Sequence, residues 1–346
     1  MEVAPFASSL RTSSGSFDIL YKRMALATDQ VTSTSPLLAL PRISAGRIGL
    51  GVLLLIALPC VLTLPWSMER YTLSVIEASQ LKIGEELSQA PSIEHPMGTD
   101  VIGRSLLWRC LLGGAISLGI GLSAAFISVV IGVTWGAMSG LAGGRVDATM
   151  MRIVDILYGV PYILLVVLMR LALQPGAKNM LMLWRIDAQL ADRMASILTL
   201  LVAIGGVSWL TMARVIRGQV LSLRAQPFVE AARASGVGPL RILRVHLLPN
   251  LVGPIVVYTT LTVPTAILQE SFLSFLGLGV QLPLPSWGNL ATEGVKQLQT
   301  LSVPGADFFW WLPLWPCLLL GMTLMALNFL GDALRNRLDP RTIARR

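Results

Sequence analysis

Glu230-Ala231-Ala232-Arg233-Ala234-Ser235-Gly236, followed after nine residues by His246-Leu247-Leu248-Pro249-Asn250, is a polar, Arg-rich stretch set between two long apolar runs. Pro227 suits the first position of a helix, where its missing N–H would be unpaired anyway. Phe228 to Ser235 then reads as a short helix, and Gly236 fits the left-handed residue that ends one. Pro239 opens a second helix, on which Leu240, Leu243 and Leu247 fall at i, i+3 and i+7 as one apolar stripe, while Arg241 and Arg244 share a different, polar face. Pro249 is expected to close the unit. The stretch therefore reads as two short helices hinged at Gly236-Val237-Gly238. Positive-inside bias would explain its arginines, but not the alanine run, the glycine hinge or the lone acid Glu230. Ala231, Ala232 and Ala234 keep the first helix thin, which suits close approach by another surface, with a helix laid in a groove as the natural mode.

Outward from this loop the chain is apolar. Of its 346 residues 54% are hydrophobic and 13% charged, against about 25% charged in soluble domains, and the mean hydropathy is +0.68. A spanning helix needs about 20 apolar residues, and six such runs are expected at approximately 48–66, 112–139, 154–173, 196–216, 252–275 and 310–331. With the N-terminus inside, the inner segments hold twice as many Lys and Arg as the outer ones, so both termini and the 217–249 loop are expected in the cytoplasm. The net charge of +8 follows the edges of the apolar runs rather than forming one patch, which argues against nucleic acid as a partner and for the lipid membrane. Cys60, Cys110 and Cys317 lie in or beside apolar segments without metal-ligand spacing and read as small buried hydrophobes. Residues 1–45, rich in Ser and Thr, are expected to be a disordered cytoplasmic tail, and the first apolar run starts too far in for a signal peptide.

Three segments are expected outside the membrane on the opposite side: about 67–110, a mixed-charge loop at 174–195, and 276–309. Trp287, Trp310 and Trp311 suit the membrane–water interface. Arg170 reads as a residue snorkelling from a helix end, and Arg152 and Asp155, three apart, as a pair or cap. Pro254 and Pro264 are expected to bend the fifth span, which would expose backbone to a cavity. Glu270, near the outer end of that span, is a candidate for the wall of a path or for a contact to a neighbouring helix.

At the loop the chain resembles the membrane subunits of bacterial ATP-binding-cassette importers, whose signature is Glu-Ala-Ala, three residues, Gly, nine residues, Ile, one residue, Leu-Pro. Glu230-Ala231-Ala232, Gly236 and Leu248-Pro249 match at the same spacing. His246 stands at the Ile position, and His-x-Leu-Pro-Asn is similar to the peptide/nickel permease branch. His95-Pro96-Met97-Gly98-Thr99-Asp100 with Gly103-Arg104 resembles the segment before the second helix of its C-type subunit, and Gly143-Gly144-Arg145-Val146-Asp147 with Met151-Arg152 and Asp155 resembles its first cytoplasmic loop. Ala213 to Gly218, Glu270 to Gly277, Pro285-Ser286-Trp287-Gly288, Asn328 to Asp332 and Leu338-Asp339-Pro340 extend the resemblance over roughly 45–341. Ser105, Cys317 and the length of the 174–195 loop depart from it.

The resemblance implies an all-α membrane protein of six transmembrane helices with the type I importer permease fold. It implies a first helix and external segment at 46–111, a transmembrane core at 112–332 with its coupling loop at 218–249, and a C-terminal cytoplasmic tail at 333–346. Glu230, Ala231, Ala232, Arg233, Gly236, His246, Leu248 and Pro249 would form the coupling loop, which inserts into a cleft of a separate ATPase; Glu270 and Pro264 are candidates for the translocation path. The implied partners are a second homologous permease subunit, two ATPase subunits and an extracytoplasmic substrate-binding protein, in a bacterial inner membrane. No GxxxxGK[ST] phosphate loop occurs in the chain, so ATP and Mg are expected on the partners, with no cofactor here. Neither a nucleophile elbow nor a His-Glu-x-x-His helix is present, which argues against an intramembrane enzyme. The only histidines are His95 and His246, so short peptides are preferred over nickel or another small solute.

Overall fold

The computed structural model describes residues 45–80, 88–281, 284–299 and 309–338; most of the expected N-terminal tail lies outside them. Eleven α-helices are seen among the described residues: α1 (Ala45–Leu62), α2 (Leu64–Gln80), α3 (Leu106–Ala142), α4 (Gly144–Tyr158), α5 (Tyr162–Leu183), α6 (Ala188–Arg224), α7 (Pro227–Ala234), α8 (Pro239–Ile242), α9 (Leu248–Phe275), α10 (Trp287–Gln299) and α11 (Trp311–Leu338). Six helical spans are long and apolar enough to cross a membrane, the fifth comprising α8, a π-helical turn and α9.

The centre of the bundle is the α3–α6 pair, with α5 against α6, α9 against α3 and α11, and α1 against α11. The close approach is written in α3. Gly132, Gly136 and Gly140 fall at i, i+4 and i+8, on the face turned to Met212, Ala213, Ile216 and Val220 of α6. Small residues at this spacing let two backbones meet, which gives dispersion contact where lipid supplies no hydrophobic drive.

Several expected boundaries move for local reasons. The third span was expected at 154–173 and lies at Tyr162–Leu183, because the chain breaks at Gly159-Val160-Pro161: Pro161 has no N–H to continue α4 and forces Val160 out of the helical region. The expected loop at 174–195 is a helical hairpin instead. α5 runs through Pro175 to Leu183, Arg185 turns the chain at φ 59°, and Asp187 caps α6 by accepting from the Gln189 N–H at 3.0 Å. Leu181, Ala191 and Ala195 pack inside this hairpin, and that packing outweighs the proline. α11 continues to Leu338, past the end expected for the sixth span at about 331.

At one end of the bundle the segment before α3 is built around Asp100. Its carboxylate accepts from the backbone N–H groups of Ile102 and Arg104 and from the Arg104 Nε at 2.7 Å. Arg109 is 3% exposed at its side chain and bridges Asp100 (2.8 Å) to Glu293 of α10 (2.6 Å). Trp311 donates to the Thr99 carbonyl at 3.0 Å, and Trp287 to the Cys110 carbonyl at 3.0 Å. Of the three expected interfacial tryptophans only Trp310 is exposed. Trp287 and Trp311 are buried, because backbone carbonyls inside the fold satisfy their N–H groups as well as water would. Removing one partner of a buried ion pair leaves an uncompensated charge, at about 3–5 kcal/mol. Arg109→Leu is therefore expected to cost about 3 kcal/mol and to lower the melting temperature of the detergent-solubilised protein clearly. Glu293→Gln, at a site 35% exposed, should lower it much less. Equal melting of both variants would contradict this.

Candidate functional site

α7 is held by one face and shown by the other. It ends in a Schellman closure: the Gly236 N–H donates to the Arg233 carbonyl at 2.9 Å and the Val237 N–H to the Ala232 carbonyl at 3.0 Å, with Gly236 at φ 78°. Val237 and Ala232 belong to one apolar cluster, the contact that accompanies this motif. The anchor is Val229, 0% exposed among Val220, Ile242, Leu243 and Leu247. Glu230, Ala231, Arg233 and Ala234 face outward. Val229 was not singled out in the sequence, although Val229 and Ala232 at i, i+3 carried the signal.

The second half of the loop differs from expectation in two respects. Leu240 is exposed, and Ile242 takes its place in the buried stripe with Leu243 and Leu247. Pro249 does not close the unit. A π-helical turn, Leu243–Leu247, leads into α9 with the Leu248 N–H donating to the Leu243 carbonyl, and Pro249 sits in the first turn of α9. The wider turn rotates the chain so that the proline falls where no N–H is needed. His246 is half-buried, its ring 6.4 Å from that of Phe228, and its carbonyl accepts from Asn250 at 2.7 Å.

A second set of side chains braces this end. Asp147, at the start of α4, accepts from the Nε and Nη2 of Arg217, each at 2.6 Å, and the Ser139 hydroxyl donates to it too. These bonds, from Arg217 first and Ser139 second, hold the Asp147 carboxyl below the usual carboxylate range, against the opposing effect of burial. Arg224 donates to the carbonyls of Gly140 and Leu141 beneath the Gly143 turn, where φ is 67°. α3, α4 and the base of α6 are thus tied into the frame from which α7 hangs. Asp155 pairs with Arg214 at 3.0 Å, not with Arg152, and Arg214 lies 4.2 Å over the Tyr158 ring. Asp155 thus ties α4 to α6 rather than to a neighbour three residues back.

A cavity of about 670 Å³ opens among the α4–α5 break, α6 and α9. Its polar lining is Tyr158, Tyr162, Ser208, Thr211, Tyr258, Thr262, Thr265 and Gln269, with no Asp, Glu, Lys or Arg. Glu270 and Pro264 lie elsewhere. Glu270 is 0% exposed and accepts from Ser117 (3.2 Å) and Ser274 (2.7 Å), while Ser117 accepts from the backbone N–H of Trp287 at 3.2 Å. The acid thus ties α9 to α3 and α10, and its neighbour Gln269 faces the cavity. Pro264 is buried, as is Val263, and α9 passes it without interruption. Arg170 is buried too, donating to Ser196 at 2.9 Å; the hairpin extends α5 well beyond it, so it is no helix-end residue.

A family model described as "Binding-protein-dependent transport system inner membrane component" matches residues 132–344. The dipeptide transport system permease protein DppC of Bacillus subtilis (strain 168) is 40% identical over 256 residues, 74% of this chain and 72% of that protein. The oligopeptide transport system permease protein OppC of Haemophilus influenzae is 42% identical over 257 residues, 74% of each chain. OppC of Escherichia coli (strain K12) is 43% identical over 257 residues, 74% of this chain and 76% of that one. Among solved structures, one described as inward-facing conformations of the MetNI methionine ABC transporter is 20% identical, with a TM-score of 0.49 over 67% of this chain and 97% of that one.

Proposed function

The chain belongs to the family of binding-protein-dependent transport system inner membrane components, and on that premise we propose that it forms half of the translocation path of an ATP-driven importer of short peptides. It is a multi-pass protein of the bacterial inner membrane and works with ATPase and substrate-binding partners. The observation that carries the peptide assignment is identity of 40–43% over 74% of the chain to dipeptide and oligopeptide permeases. The same names favour peptides over nickel.

In the mechanism, α7 inserts into a cleft on an ATPase subunit on the cytoplasmic side, a sidedness for the loop and both termini that the excess of Lys and Arg supports. Glu230, Arg233 and the alanines meet the partner; Val229 and Val237 transmit its movement to α6 and α9 through one apolar cluster. A second permease of the same family completes the path, two ATPase subunits bind ATP and Mg, and a binding protein delivers the peptide on the other side. The exposed face of α7 on a buried Val229 supports this reading.

The test is ATP-dependent peptide uptake by the full transporter, with and without this subunit. Uptake of a labelled short peptide is expected to vanish without it, while nickel accumulation stays unchanged. Undiminished peptide uptake in its absence would overturn the proposal.

A further inference from the structure

Gln269, Thr265, Thr262 and Tyr258 of α9 line the cavity at i, i−4, i−7 and i−11, a spacing that keeps them on one stripe of the helix. Their hydrogen-bonding capacity is arranged. The Tyr162 hydroxyl donates to the Gln269 Oε1, which holds the carboxamide, while its amino group has no hydrogen-bond partner among the described residues and keeps both donors available. The threonines do the reverse. Thr262 spends its hydroxyl hydrogen on the Tyr258 carbonyl at 2.8 Å, and Thr265 on the Thr262 carbonyl at 2.7 Å, so what each cavity-lining hydroxyl has left to offer is oxygen lone pairs.

We propose that this stripe is a binding ladder for the main chain of an extended peptide, with Gln269 donating to a peptide carbonyl and Thr265 and Thr262 accepting from peptide N–H groups. The inference rests on the peptide-importer reading above and adds the site and its chemistry. The stripe is about 16 Å long at 1.5 Å per residue, which spans about five residues of extended chain at 3.3 Å each. A ladder of neutral amide and hydroxyl groups, in a cavity lined by no charged side chain, reads what all peptides share and is indifferent to the charge of their side chains. Gln269 is then a specificity-determining residue: its neutrality is what lets both acidic and basic peptides pass.

The test uses the complete transporter in liposomes with its ATPase and binding-protein partners, and compares uptake of a Lys-rich and an Asp-rich pentapeptide. Gln269→Glu is expected to raise the Lys-to-Asp uptake ratio at least about tenfold over the unaltered transporter, and Gln269→Lys to lower it by a similar factor, since like charges brought together in a path discriminate by that order. Ratios equal to the unaltered transporter in both active variants overturn the ladder. Should either variant be inactive, Thr265→Cys on a Cys317→Ser background decides: the remaining cysteines, Cys60 and Cys110, are buried. Maleimide labelling at 265 is expected to slow severalfold while peptide is being transported, and labelling at an unchanged rate overturns the proposal. An unaltered transporter that moves neither peptide overturns the importer reading itself, a result distinct from either of these.

Discussion

Gly236→Pro is expected to leave the protein inserted in the membrane while abolishing peptide uptake. Gly236 sits at φ 78°, and the pyrrolidine ring holds φ near −65°. Its N–H also donates to the Arg233 carbonyl at 2.9 Å, a bond that proline cannot make. Both halves of the closure that ends α7 are lost at one position, and nothing lies within 4 Å of a Cβ built there, so the damage is confined to the loop. Gly236→Ala keeps the N–H and bears only the left-handed penalty of about 1–2 kcal/mol, so its uptake should fall by roughly tenfold. Gly236→Pro should fall below detection, with ATP hydrolysis by the partner subunits no longer stimulated by loaded binding protein. Glu230→Lys, at an exposed position, should uncouple in the same way without touching α7 itself. Uptake at the unaltered level in the proline variant, measured beside its membrane abundance, would refute the coupling role of this loop.

The second large effect is on folding. A Cβ at Gly136 would lie 2.3 Å from the Ala213 carbonyl oxygen and 3.0 Å from the Arg217 nitrogen. The obstacle is backbone, which cannot rotate away as a side chain can. Gly136→Leu must push α3 from α6 along the central seam of the bundle, losing the contacts that flank Gly132 and Gly140 as well. Overpacking typically costs 1–3 kcal/mol; against backbone at the core pair the cost should reach about 3 kcal/mol or more, a large part of the 5–15 kcal/mol that holds most folds. Folded protein in membranes should drop steeply. Gly119→Leu on the same helix has open space around it and serves as the control. Equal abundance of the two variants would show that the seam tolerates separation.

What could be read in advance was local. The closure of α7 follows from Pro227, Gly236 and their neighbours, because helix ends are decided by φ and by N–H groups within a few residues. The six spans follow from runs of about 20 apolar residues, because lipid satisfies no backbone group. The exchange of Leu240 for Ile242 in the buried stripe was less legible: the π-helical turn shifts the phase of the chain, and a 3.6-residue period does not announce it.

Partner choice was the other limit. Arg109 and Glu293 are 184 positions apart, Trp287 and Cys110 177, Arg217 and Asp147 70. Trp287 in the core and Trp310 at the surface are the same indole in similar company, and only the carbonyl that packing brings to one of them separates the cases. Glu270 and Gln269 differ by one residue along α9, yet that step of about 100° turns the acid into a seam and the amide into the cavity. The sequence by itself thus determined that the chain crosses a membrane six times and that one loop folds as two short helices about a glycine turn, since both depend on composition and near neighbours. The tertiary structure alone decided which polar groups are bonded to one another and which are left facing the cavity, because burial and partnership are set by elements far apart in the chain.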